Sequence, residues 1–159
     1  VAALADARAQ GCAVGFKLRC GGTAPAPSVE AVALVLALAR QAMVPLKFTA
    51  GLHHAIRQPN RPGYPHGFVN LYAAGLLAQV HELAEAQLAT ILADEDASAF
   101  RCDEHGLAWR DLQLNAAQIT AARASITSFG SCSFDDPRHD LRQLGWLAAA
   151  RVPQTDRER

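Results

Sequence analysis

Lysine is almost missing from this chain: 159 residues carry 2 lysines, Lys17 and Lys47, against 13 arginines. Net charge is missing too, since 15 basic side chains balance 15 acidic ones. No global field therefore draws the protein to nucleic acid or to an anionic membrane, and any affinity must come from a local site. No C-x-x-C pair joins the four cysteines Cys12, Cys20, Cys102 and Cys132. Widely spaced thiols in strand-like or apolar contexts read as the reduced cysteines of a cytoplasmic protein, not as a disulfide framework. Long hydrophobic runs are lacking as well. The apolar stretch from Phe68 to Leu92 is interrupted by Asn70, Gln79, His81, Glu82 and Glu85, and no charged start leads into an apolar segment, so neither a membrane span nor a signal peptide is expected.

What is present is a composition that is 50 % apolar and 19 % charged, enough for one sizeable core. Residues 1–150 are read as a single α/β domain and residues 151–159 as a loose polar tail. The chain opens Val-Ala-Ala-Leu, and a short helix over Ala3 to Gln10 has nothing upstream to complete its unit. The domain is therefore expected to be the C-terminal part of a longer polypeptide, or to be covered by a second copy in a homo-oligomer. Richness in alanine and arginine suggests a GC-rich bacterial genome, a bias against which a retained lysine stands out.

From Ala13 to Cys20 the side chains alternate, Val14, Phe16 and Leu18 on one face and Gly15, Lys17 and Arg19 on the other, which predicts a strand. Gly21-Gly22 stops it; a lone glycine pair more often marks a turn than a phosphate cradle. Ser28 then opens a helix to about Ala42, with Glu30 in the first turn where the helix dipole favours an acid. Leu46 to Ala50 repeats the strand pattern, with Lys47 and Thr49 on the polar side, so the two strands are expected to be parallel neighbours. A Pro- and Gly-rich loop follows Leu52-His53-His54-Ala55-Ile56-Arg57 and delivers His66-Gly67. Phe68 to about Asp94 reads as helical, broken or bent near Gly75, and Phe100 to Leu114 as a hairpin. Asn115 caps a helix to about Ala124, Ile126 to Phe134 forms a third core strand, and a last helix runs from Asp135 to about Ala150. These pieces suit a partial or half (β/α)-barrel-like parallel sheet with flanking helices and a small β-hairpin, with ligand at the carboxyl ends of the strands.

Lysines on the same face of two buried, adjacent strands share a space with Arg19, and three cations there call for an offsetting anion. Three readings follow: pairing with protein carboxylates such as Asp135, capture of a phosphate or carboxylate, or a nucleophilic lysine freed by its cationic neighbour to form a Schiff base. His53, His54 and His66 form a second group, suited to proton transfer, to ordinary loop hydrogen bonds, or to holding a divalent metal such as zinc. Arg57 offers bidentate anion capture and Asn70 orientation, while Thr49 and Ser131 add hydroxyls. Cys132 as a nucleophile needs an adjacent base, which a loop histidine would supply; burial as a small core residue is the plainer expectation.

The strings Lys17-Leu18-Arg19-Cys20-Gly21-Gly22, Pro45-Leu46-Lys47-Phe48-Thr49-Ala50-Gly51-Leu52-His53-His54, His66-Gly67-Phe68 and Ser128-Phe129-Gly130-Ser131-Cys132-Ser133-Phe134 resemble a bacterial family of conserved proteins of unknown function. The resemblance runs from Phe16 to Leu147 and implies a longer N-terminus without implying a reaction. Taken together, the residues suggest binding of a small anionic metabolite, with lyase- or aldolase-like chemistry. A non-catalytic ligand-binding or assembly module and a zinc-dependent hydrolase are the alternatives.

Overall fold

In the computed structural model, residues 1–22 and 25–148 are described, and the tail at 151–159 lies outside them. After helix α1 (Ala2–Ala9), strand β1 (Phe16–Arg19) and strand β2 (Leu46–Thr49) flank helix α2 (Val29–Gln41). Ser28 starts α2 because its hydroxyl accepts the Ala31 N–H at 3.1 Å, satisfying one of the donors a helix leaves free at its first turn. The two strands pair in parallel, as the strand-helix-strand order predicts, with Lys17 opposite Lys47.

The next stretch is broken, but not at the expected place near Gly75. Helix α3 (Phe68–His81) and helix α4 (Glu85–Ala93) are separate, and the break falls at Glu82, whose φ is +49°, not at Gly75. Gly75 is instead a packing position, because a Cβ there would lie 2.9 Å from the Ile126 side chain. Beyond α4 the expected hairpin is a three-stranded antiparallel meander of β3 (Phe100–Asp103), β4 (Gly106–Trp109) and β5 (Leu112–Leu114). Its second turn is made by Arg110 at φ +50°, a conformation that non-glycine residues rarely adopt. Contacts hold Arg110 there: its guanidinium pairs with Asp94 at 2.9 Å and lies over the Trp109 ring.

Helix α5 (Ala116–Ala122) begins with a reciprocal cap between Asn115 and Gln118, and strand β6 (Ile126–Gly130) joins β2 in parallel, giving the sheet order β1-β2-β6. The last helix, α6 (Asp135–Gln143), is shorter than expected. The chain turns at Gly145, with φ +73°, while Ala150, its expected end, lies outside the described residues.

The parallel sheet buries one face only. Leu18, Leu46, Phe48 and Ile126 pack into the core, each removal of such a side chain from water contributing about 1.5–3 kcal/mol. The other face carries Lys17, Arg19 and Lys47, all exposed, with Thr49 half-buried. The sequence places the lysines on buried strands; the strands are covered on the apolar side, and the lysines stand in solvent. Helix α3, apolar nearly all round, lies between the two sheets and touches β6 as well as β4 and β5, which is why one helix needs two buried sides. No helix among the described residues is long and apolar enough to cross a membrane.

Candidate nucleophile site

The carboxyl ends of the three parallel strands are shaped by close backbone approach. Ala50 and Gly51, at φ +59° and +74°, turn the chain sharply after β2, burying Leu52 completely and releasing His53 and His54 toward the surface. A Cβ on Gly51 would sit 2.7 Å from the Gly21 Cα, and one on Gly21 would strike the Gly63 carbonyl. Gly22 N–H also donates to that carbonyl at 2.9 Å. The Gly21-Gly22 pair is thus a seat for the proline-rich loop, and the seating brings the Tyr64 ring edge-on to His53, centroids 4.8 Å apart.

On the other side, β6 ends at Gly130 and Ser131-Cys132-Ser133 lead into α6. The Ser131 hydroxyl accepts the Ser133 N–H at 3.2 Å, and the Ser133 hydroxyl accepts the Asp136 N–H at 3.1 Å. Both serines therefore hold the turn that presents Cys132. The thiol is exposed, which corrects the expectation of a small buried core residue: Cys132 lies past the end of the strand and not within it.

These two chain ends meet. His53 Nε2 is 2.8 Å from Cys132 Sγ, and His53 Nδ1 is 2.7 Å from Asp136 Oδ2. The hydrogen bond from His53, followed by that from Ser133, holds the Asp136 carboxyl below its ordinary value. Asp136 is thus ionised at neutral pH and accepts the Nδ1 proton. That assignment, made from the network, leaves Nε2 as the acceptor facing the thiol. One turn further along α6, Asp140 Oδ2 accepts from His54 Nδ1 at 3.1 Å and from the Ala55 N–H at 3.0 Å. The adjacent histidines are therefore oriented by carboxylates four residues apart on one helix face.

The remaining expected site residues are placed differently. His66 is 2 % exposed and donates Nε2–H to the Pro27 carbonyl at 2.7 Å, while its Nδ1 is buried without a partner. Burial holds its pKa down. A depressed histidine contributes stability that is full above its ordinary value of 6.5 and is lost as pH falls through the folded value. Thermal melts of the wild type are thus expected to drop between pH 7 and pH 5, and His66→Gln to flatten that slope; parallel slopes would count against it. Asn70 is a buried clamp, accepting the Arg57 N–H at 2.9 Å and donating to the Ile91 and Asp94 carbonyls. Arg57 borders a separate cavity with Gln58 and Glu95. Lys17, Arg19, Lys47 and Thr49 share the open sheet face. No group of three or more His, Cys, Asp or Glu side chains among the described residues is arranged to hold a metal ion.

The sequence reading missed Asp136 and Asp140. The available signal was an acid pair at i and i+4 beginning four residues after Cys132, which puts both carboxylates on one face of the helix beyond the strand.

Two clefts adjoin the Cys132–His53 contact. One of about 670 Å³ is polar and includes His53, Arg61, Tyr64, Asp136 and His139. Another of about 470 Å³ includes Cys132 with Phe129, Phe134, Pro137 and Leu141. Cys20 makes a contrast, since its thiol is fully buried and pushed up to about 12 by that burial.

Comparison with known protein families, with curated proteins and with solved structures finds no match to this chain.

Proposed function

We propose that this protein is a thiol-dependent enzyme of the acyl-transfer or hydrolytic class, with Cys132 as nucleophile, His53 as general base and Asp136 as the residue that orients His53. The observation that carries the reading is the unbroken contact from thiol to imidazole to carboxylate, 2.8 and 2.7 Å, at the carboxyl ends of parallel strands where α/β sheets place ligands. In the first step Sγ attacks an acyl carbonyl carbon and its proton passes to Nε2. The tetrahedral intermediate collapses, the bond to the leaving group breaks, and Nε2 returns the proton to that group. A water, losing its proton to the same nitrogen, then cleaves the thioester to release the acid and restore the thiol.

Iodoacetamide labelling resolved by peptide mass spectrometry tests this reading. Cys132 is expected to label before the other exposed thiols, Cys12 and Cys102, and Cys20 last. Labelling of Cys132 no faster than Cys12 would remove the nucleophile.

A second reading is supported by the register that sets Lys17 directly opposite Lys47, with Arg19 on the same face. Two ammonium groups so placed repel, and a bound phosphate or carboxylate relieves the repulsion. On this reading the open face binds a small anionic metabolite, as a ligand-binding or assembly module or as a lyase of aldolase type. A half-barrel arrangement, completed by a second copy or by further chain, accounts for a sheet with one apolar and one cationic face. Borohydride trapping of a lysine with simple keto acids supports the lyase version. No trapping, together with a Tm unmoved by phosphate or carboxylates, sinks the whole reading.

A further inference from the structure

We infer that the substrate's acyl portion is apolar and seats in the aromatic cleft beside Cys132, while its leaving group is polar and lies in the cleft on the His53 side. This rests on the nucleophile reading above and adds the substrate class to it. The argument is one of sides. Protonation of the leaving group by Nε2 requires that group to lie toward His53, whose cleft carries Arg61, Tyr64 and His139. The acyl carbon bonded to Sγ then has its other substituent directed away, into the cleft that Cys132 itself lines.

That second cleft is built for an apolar group. Phe129 stacks flat on Phe68, centroids 4.9 Å apart and planes at 3°, and Pro137 is buried at the start of α6. Phe134 is 79 % exposed two residues from the nucleophile, so the ring face that Arg138 leaves open can cover an apolar group. Among the described residues the one cation lining this cleft is already engaged: Arg138 lies over the Phe134 ring at 4.9 Å and pairs with Asp135 at 3.3 Å. With that charge satisfied, the cleft offers an apolar group contact and offers an anionic one little.

Two chloroacetamides, the parent compound and its N-benzyl derivative, test the inference on the full chain. Each reacts by forming a C–S bond as the C–Cl bond breaks, chloride leaving and the thiol proton passing through His53 to solvent. The benzyl-to-parent rate ratio at Cys132 is expected to exceed the ratio for glutathione by about tenfold or more, and Phe134→Ser is expected to pull the ratio back toward that of glutathione. Because Phe134 is exposed, the substitution leaves the core intact. A ratio equal to glutathione's at a Cys132 that still outpaces Cys12, or a raised ratio unmoved by Phe134→Ser, overturns the apolar subsite and spares the nucleophile. A Cys132 no faster than Cys12 toward both reagents overturns the nucleophile reading and this inference with it.

Discussion

His53→Ala is expected to slow alkylation of Cys132 by about 10²-fold or more at neutral pH, the range a positioned general base contributes. The effect is large because Nε2, at 2.8 Å, is the contact that takes the thiol proton, and the adjacent His54 is committed to Asp140. Asp136→Asn is expected to cost less but to change the pH profile. An amide no longer holds the proton on Nδ1, so His53 is free to turn its N–H toward the sulfur instead of its acceptor. Labelling rates measured from pH 5 to pH 9 for wild type and both variants check this. Equal rates for wild type and His53→Ala would show the contact to be packing alone.

Asn70→Ala is expected to lower stability by about 3 kcal/mol, since it strips partners from the buried Arg57 N–H and from the carbonyls of Ile91 and Asp94 at once. In a chain of this size that is a Tm fall of roughly 10 °C, measurable by circular dichroism. Asn70→Asp is expected to be nearly as damaging, because it keeps the acceptor for Arg57 N–H but sets a carboxylate against two carbonyl oxygens. A shift under about 2 °C for both variants would mean that water replaces the amide. The substitution also reaches the site. Arg57 follows His53 by four residues, and releasing its backbone loosens the segment that carries the base.

Local patterns in the sequence made much of the fold legible. Alternation at Phe16 to Arg19 and Leu46 to Thr49 located the two strands and put both lysines on the polar face, and the strand-helix-strand order made them parallel; the register that sets Lys17 opposite Lys47 came from the structure. Ser28 and Asn115 marked helix starts through their own side chains. The break at Glu82 and the turn at Arg110 were not legible, since both are non-glycine residues at positive φ, and the Asp94 carboxylate that holds Arg110 lies 16 positions away. The candidate site divides the same way. Histidines and Cys132 were visible as residue types, but 79 positions separate His53 from Cys132 and 83 separate it from Asp136. No local rule measures such a distance. The lysines drew attention by rarity and by a shared face, while burial was misjudged because nothing in a strand's alternation says whether its polar face is covered.

Helix α6 fully buries only Pro137 and rests one further apolar side chain, the partly buried Leu141, on the core, yet it supplies the carboxylates for both His53 and His54. Its attachment is therefore weighted toward the chemistry and away from the core. A segment with so little apolar anchorage opens at a lower free energy than the sheet behind it. Warming should then take both imidazole acceptors away in a single local event. Nucleophile reactivity would fade while the parallel strands remain paired, giving the protein a working temperature set by nine residues rather than by the melting of the whole.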